Sequence, residues 1–183
     1  GGGIANLGNT ALIHATLADN SPSNLFNNGG MATVANTILA TTGGTNFNCS
    51  AASTSLDYNL SNDTSCTPYW TQPHDLNNKN PMLGSLVNNG GPTLTHALMG
   101  SSPALNAIPA AGGCRFGIAT DQRGVARPQG TACDIGAYEA QFNPSPPPRI
   151  GPNVPGTPSP APPPRPGPGA SGGPPAPAPA PRL

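Results

Sequence analysis

Shifted against itself by 22 residues, the first third of the chain lines up with itself. Leu12, Val34 and Leu56 coincide, as do His14, Asn36 and Tyr58, and Thr16, Ile38 and Leu60. Gly8 falls on Gly30, and Leu17 on Leu39. A fixed period in the low twenties, with short apolar segments and Gly/Asn-rich joints, means one structural unit laid repeatedly on itself. Extended chain advances about 3.3 Å per residue, so one repeat traces about 70 Å. That length suits one turn of a three-sided coil whose neighbours pair about 4.8 Å apart.

In such a pile, matching positions rest on one another. Strands are expected over residues 11–17 and 33–39, with Leu12, Val34 and Leu56 as an inward ladder and Leu17 over Leu39 as another. Asn36 is expected in a stack of polar side chains at a bend. His14 holds the same place one coil earlier and reads as a bend residue bonded to its neighbours. Residues 1–66 form these parallel coils. Residues 67–142 continue the domain as a last coil and cap, because six prolines over residues 67–113, which cannot donate ladder hydrogen bonds, favour wrapping loops and short strands. Few stretches show helical spacing, so long helices are not expected.

Only 8% of residues are charged, against about 25% in an average domain. Residues 1–143 hold all seven acids but only Lys79, Arg115, Arg123 and Arg127, and the remainder holds three arginines and no acid. Neither imbalance is large enough to capture nucleic acid. From residue 143 onward, 18 of the 26 prolines mix with Gly, Ala and Ser. Such a segment buries too little apolar surface to fold and reads as a polyproline II spacer, linker or tail.

The four cysteines fall in two close pairs, Cys49 with Cys66 and Cys114 with Cys133. Neither has the tight spacing of a zinc knuckle. Two local disulfides in an exported protein are the reading preferred over free thiols. No run of 18 apolar residues is present, so no transmembrane segment is expected. The chain opens at Gly1 inside what already reads as a repeat, which leads to the expectation of a C-terminal piece of a longer exported chain.

The most specific segments are residues 90–98, then 121–128 (Asp-Gln-Arg-Gly-Val-Ala-Arg-Pro) and 133–139 (Cys-Asp-Ile-Gly-Ala-Tyr-Glu). In these the chain resembles the C-terminal part of the bacterial choice-of-anchor Q domain proteins, over essentially residues 1–141. The resemblance implies an exported, all-β protein: a right-handed parallel β-helix (solenoid) closed by a cap. Asn106 stands where many relatives carry Asp. Read physically, the block is expected to cover the open end of the coil pile. Asp121, Arg123 and Asp134 would form a structural ion-pair cluster there, with Arg123 pairing to either acid.

Two function classes follow. The first is a non-enzymatic exported or cell-surface protein, a stalk or adhesin-like monomer whose neutral Asn/Thr/Ser flank binds glycans along a linear groove. Its expected partner is an extracellular polysaccharide or the cell envelope. The alternative is a fragment of a polysaccharide lyase or glycoside hydrolase whose site lies in missing upstream coils. Hydrolysis needs two carboxylates about 5–9.5 Å apart, and the repeats offer only Asp19, Asp57 and Asp63. No catalytic residue, cofactor or metal site is assigned. Calcium around Asp57, Asn59, Asn62 and Asp63 is the weaker reading beside a strand and its turn. Three glycosylation patterns, at Asn48, Asn59 and Asn62, read as chance in an Asn-rich chain.

Overall fold

The repeat becomes three parallel sheets. In the computed structural model, which describes residues 3–111 and 114–141, the first repeat supplies β1 (Ile4–Asn6), β2 (Asn9–Ile13) and β3 (Thr16–Ala18). The second supplies β4 (Ser23–Asn27), β5 (Met31–Ala35) and β6 (Ile38–Ala40), and the third β7 (Phe47–Cys49), β8 (Thr54–Ser55) and β9 (Leu60–Ser61). Each repeat gives one strand to each sheet, in the orders β1-β4-β7, β2-β5-β8 and β3-β6-β9. The third sheet gains β10 (Leu76–Asn77), which pairs parallel to β9. The described residues are all-β and hold no helix.

The expected strands 11–17 and 33–39 each break in two at a bend. His14 and Asn36 take left-handed backbone there, both at φ 51°, which short polar side chains tolerate best. Leu12 pairs with Val34, Leu17 with Leu39, and Thr16, Ile38 and Leu60 run in register. Leu56 does not join its ladder. The third repeat is one residue short at this sheet, so Val34 faces Ser55 and Leu56 is 39% exposed. Asp57 and Tyr58, at φ 88° and 55°, then restore the 22-residue spacing by Leu60. Gly30 is obligatory for another reason: a methyl there would collide with the Gly8 carbonyl oxygen, which accepts from Met31 N at 2.8 Å.

Leu12, Leu25, Ala32, Val34, Leu39, Cys49, Cys66 and Trp70 fill one core. A second core forms on the other face of the third sheet, where Ile38, Ala40 and Leu60 meet Leu98, Ile108, Cys114, Cys133 and Ile135. That sheet is apolar on both faces, so all three residues of β6 are buried, as in parallel strands covered on both sides.

The terminal block supplies the cover. β11 (Leu83–Val87) and β12 (Thr95–Leu98) form an antiparallel pair, as do β13 (Ile108–Pro109) and β14 (Ala132–Cys133). Gly136 N donates to Asn36 O at 2.8 Å and Ala137 N to Thr16 Oγ1 at 2.9 Å. The block therefore runs along a flank of the sheets back to the first repeat, where an end cover was expected. The apolar outer face of β6 and β9 is the physical reason. Gly136, at φ 96°, allows this approach, since a side chain there would meet Ile38 and Thr16. Contacts divide the chain into residues 1–143 and 144–183. The second unit, with the expected polyproline spacer, lies outside the described residues.

Candidate functional site

Polar ladders link successive repeats, within the first sheet and at the bends. Asn6 Nδ2 donates to Asn27 Oδ1, and Asn24 Nδ2 to Asn48 Oδ1, each at 2.7 Å. Asn36 Nδ2 lies 2.9 Å from His14 Nε2, donating to its lone pair, and 3.1 Å from Cys114 O. Asn36 thus sits in a polar stack with His14. Burial first, and then the Arg127 charge, pull the His14 pKa down to about 4.

A groove of about 370 Å³ crosses the ends of three successive strands of the third sheet. Its floor is Ala18, Asp19, Ala40, Thr41, Thr42 and Asn62; its wall is β11 with His96 of β12. The floor is braced across the repeats. Asp19 Oδ1 accepts from Thr42 N at 2.6 Å, and Asn62 exchanges bonds with Thr41 N and O. His96 Nδ1 donates to Gly84 O at 2.7 Å, which fixes the tautomer and makes Nε2 an acceptor. Asp19 Oδ2, His96 Nε2 and the hydroxyls of Thr42 and Ser85 have no hydrogen-bond partner among the described residues. Leu83 and Leu86 add apolar surface.

A second cluster surrounds the buried Asp57 and reaches the surface at His74 and Arg115. Its Oδ2 accepts from His74 Nδ1 at 2.8 Å and Arg115 Nη1 at 3.1 Å. Its Oδ1 accepts from the amides of Tyr58 and His74. Burial pushes the Asp57 pKa up, but these hydrogen bonds outweigh it and hold the carboxyl below its ordinary value. The His74 ring stacks on Tyr58, centroids 4.5 Å apart and 3° from parallel. Arg115 reaches the site from a run of left-handed residues, Cys114, Arg115, Phe116 and Gly117 at φ 60°, 57°, 59° and 67°. Three such non-glycine residues in succession cost roughly 1–2 kcal/mol each. Ties at Cys114 and Arg115 offset that cost.

The expected ion-pair cluster is a larger buried network. Arg123 pairs with Asp121, Nη2 to Oδ2 at 2.7 Å, and its guanidinium lies 3.6 Å from the Tyr138 ring centroid. Asp134 has no cation within salt-bridge reach among the described residues and accepts from the amides of Asn106 and Ala140. Its burial raises its pKa to about 6. For Asp121 burial also acts upward, but the amides of Glu139, Val125 and Arg123 and the Arg123 guanidinium prevail and lower it. The central pair was not expected from the sequence: Arg127 Nη1 meets Glu139 Oε2 at 2.7 Å, both side chains 1% exposed. Both lie inside the two specific motifs, 121–128 and 133–139, which was the available signal.

The structure joins Cys49 to Cys66 and Cys114 to Cys133, with Cα atoms 5.1 and 5.7 Å apart. It does not bring Asp57, Asn59, Asn62 and Asp63 together as ligands. Asn59 bonds Ser55 and Asp75, Asn62 bonds Thr41 and Asn48, and Asp63 bonds Asn48 and Ser65. Of the three glycosylation-pattern asparagines, Asn48 and Asn59 are fully buried. Among the described residues no group of three His, Cys, Asp or Glu side chains is placed to hold a metal, and no helix is long and apolar enough to cross a membrane. Comparison with protein-family models, with curated proteins and with solved structures finds no match.

Proposed function

We propose that this chain is a non-enzymatic exported or cell-surface protein, a right-handed parallel β-helix of the choice-of-anchor Q kind, which binds a glycan along its flank. The observation that carries the reading is the groove over Asp19, Thr42 and Asn62. Equivalent strand ends recur there at the coil spacing, about 4.8 Å, which is comparable to the rise of a sugar unit in an extended polysaccharide. A volume of about 370 Å³ falls within the range of small-ligand sites. Unpaired acceptors and hydroxyls beside Leu86 match a sugar's hydroxyl rim and apolar face. The two disulfides fit an oxidising compartment.

Every acid in the chain supports the non-enzymatic side. Asp19, Asp57, Asp63, Asp75, Asp121, Asp134 and Glu139 each accept at least one backbone amide. These carboxylates act as braces. The test is calorimetric titration of the full chain with neutral hexasaccharides (cello-, manno-, xylo- and arabinohexaose), beside Ser85→Trp, which fills the groove. Ser85→Trp is expected to remove the binding that the groove contributes. No binding at millimolar ligand reduces the protein to a structural stalk.

The lyase or hydrolase reading rests on a different observation. His74, oriented by Asp57 through Nδ1, has the form of a general base with Nε2 outward. Its neighbour Asp75 is committed to the amides of Asn59 and Gln72, which leaves no second acid beside it. New reducing or unsaturated ends from pectin, alginate or xylan would establish that reading.

A further inference from the structure

We propose that the cluster around His74 is a second saccharide subsite, separate from the groove, which takes one neutral sugar ring by stacking; the inference rests on the glycan-binding reading above. The starting point is a side chain both exposed and immobilised. The His74 side chain is 54% exposed, yet its ring lies flat on Tyr58, its Nδ1 is held by Asp57 Oδ2, and its own amide by Asp57 Oδ1. A half-exposed ring has little core to support, so three restraints on it serve a surface that must be ready before its ligand arrives.

The surroundings specify the ligand. Phe116 and Leu56, 44% and 39% exposed, flank Arg115, the Phe116 ring 5.9 Å from its guanidinium and the Leu56 carbonyl accepting from it, and supply apolar surface, as the C–H face of a pyranose requires. With Nδ1–H committed to a carboxylate, Nε2 accepts, so the ligand must donate, as a hydroxyl does. Arg115 Nη1 and Nη2 spend one hydrogen each on Asp57 Oδ2 and Leu56 O, which leaves donors for a ring or hydroxyl oxygen. Charge argues against an acidic sugar, because Arg115 is already balanced by Asp57 and the Asp75 carboxylate is the next residue. The backbone agrees: Asp57, Tyr58, Arg115 and Phe116 all hold positive φ, and strained conformations of this kind concentrate at binding sites.

The experiment follows the amide spectrum of the full ¹⁵N-labelled chain during titration with the same four neutral hexasaccharides, and with oligogalacturonate of equal length. A neutral ligand is expected to shift residues 56–58, 74 and 115–117 as a set distinct from the groove residues 19, 42 and 85. His74→Ala and Phe116→Ala should each weaken the first set's response at least tenfold and leave the second unchanged, with melting temperature held. Shifts confined to the groove overturn the second subsite alone. Shifts in neither set overturn it together with the glycan reading. A cluster that responds only to oligogalacturonate overturns the assignment of a neutral sugar.

Discussion

The side-chain amide of Asn36 donates to the carbonyl oxygen of Cys114 at 3.1 Å, across 78 residues of sequence. One bend of the second repeat thereby anchors the left-handed turn that carries Arg115 and Phe116. Asn36→Ala removes the two hydrogen bonds from Asn36 Nδ2 to His14 Nε2 and Cys114 O and places a methyl-bearing residue at φ 51°. Together these should cost about 3 kcal/mol. Asn36→Gly, free of the backbone term, should cost about 1 kcal/mol less. Urea unfolding of the two variants measures the difference.

Arg127 and Glu139 are both almost fully buried. Arg127→Met leaves the Glu139 carboxylate without its cation and should cost about 3–5 kcal/mol. The double variant Arg127→Met/Glu139→Gln should regain a large part of that loss. A double-mutant cycle in denaturant reads the coupling, and simple additivity would contradict the pairing.

His14 and Asp134 oppose one another in acid. The folded pKa of His14, about 4, lies below its ordinary 6.5. Its contribution is complete above 6.5 and is lost as pH falls toward 4. The folded pKa of Asp134, about 6, lies above its ordinary 3.8. Its contribution is complete below 3.8 and is lost as pH rises toward 6. Each is worth about 3 kcal/mol, so between pH 6.5 and 4 they nearly cancel. Asp134→Asn should make stability fall steeply over that window, and His14→Asn should make it rise. Melting temperatures across the window give both slopes.

Leu56 shares its sequence period with Leu12 and Val34 but not their ladder. Leu56→Ser should change stability by less than about 0.5 kcal/mol. Leu25→Ala, at a fully buried position, should cost about 2–5 kcal/mol. Equal losses at the two sites would refute the register.

Two of the three sheets were legible because their inward positions are apolar: Leu12 over Val34, and Leu17 over Leu39. The first sheet was hidden. In β4, Ser23, Asn24 and Asn27 are buried beside Leu25, so an inward strand presents the composition of a loop. The slip at Leu56 is masked in the sequence because Asp57 and Tyr58 absorb it within two residues, so that Leu60 again lies 22 residues from Ile38. His74 and Arg115 meet Asp57 only through tertiary contact, from 17 and 58 residues away. The charged motifs near the C-terminus did mark a buried network, but not which cation met which acid. That choice depends on the path of residues 121–139 over the third sheet.

Because every carboxylate fastens a piece of backbone, the scope for redesigning this surface is lopsided. Acidic residues added at bare Ser or Thr positions should be accommodated, whereas stripping any native one would loosen a turn. Efforts to improve its handling in solution therefore have one safe direction, toward more negative charge.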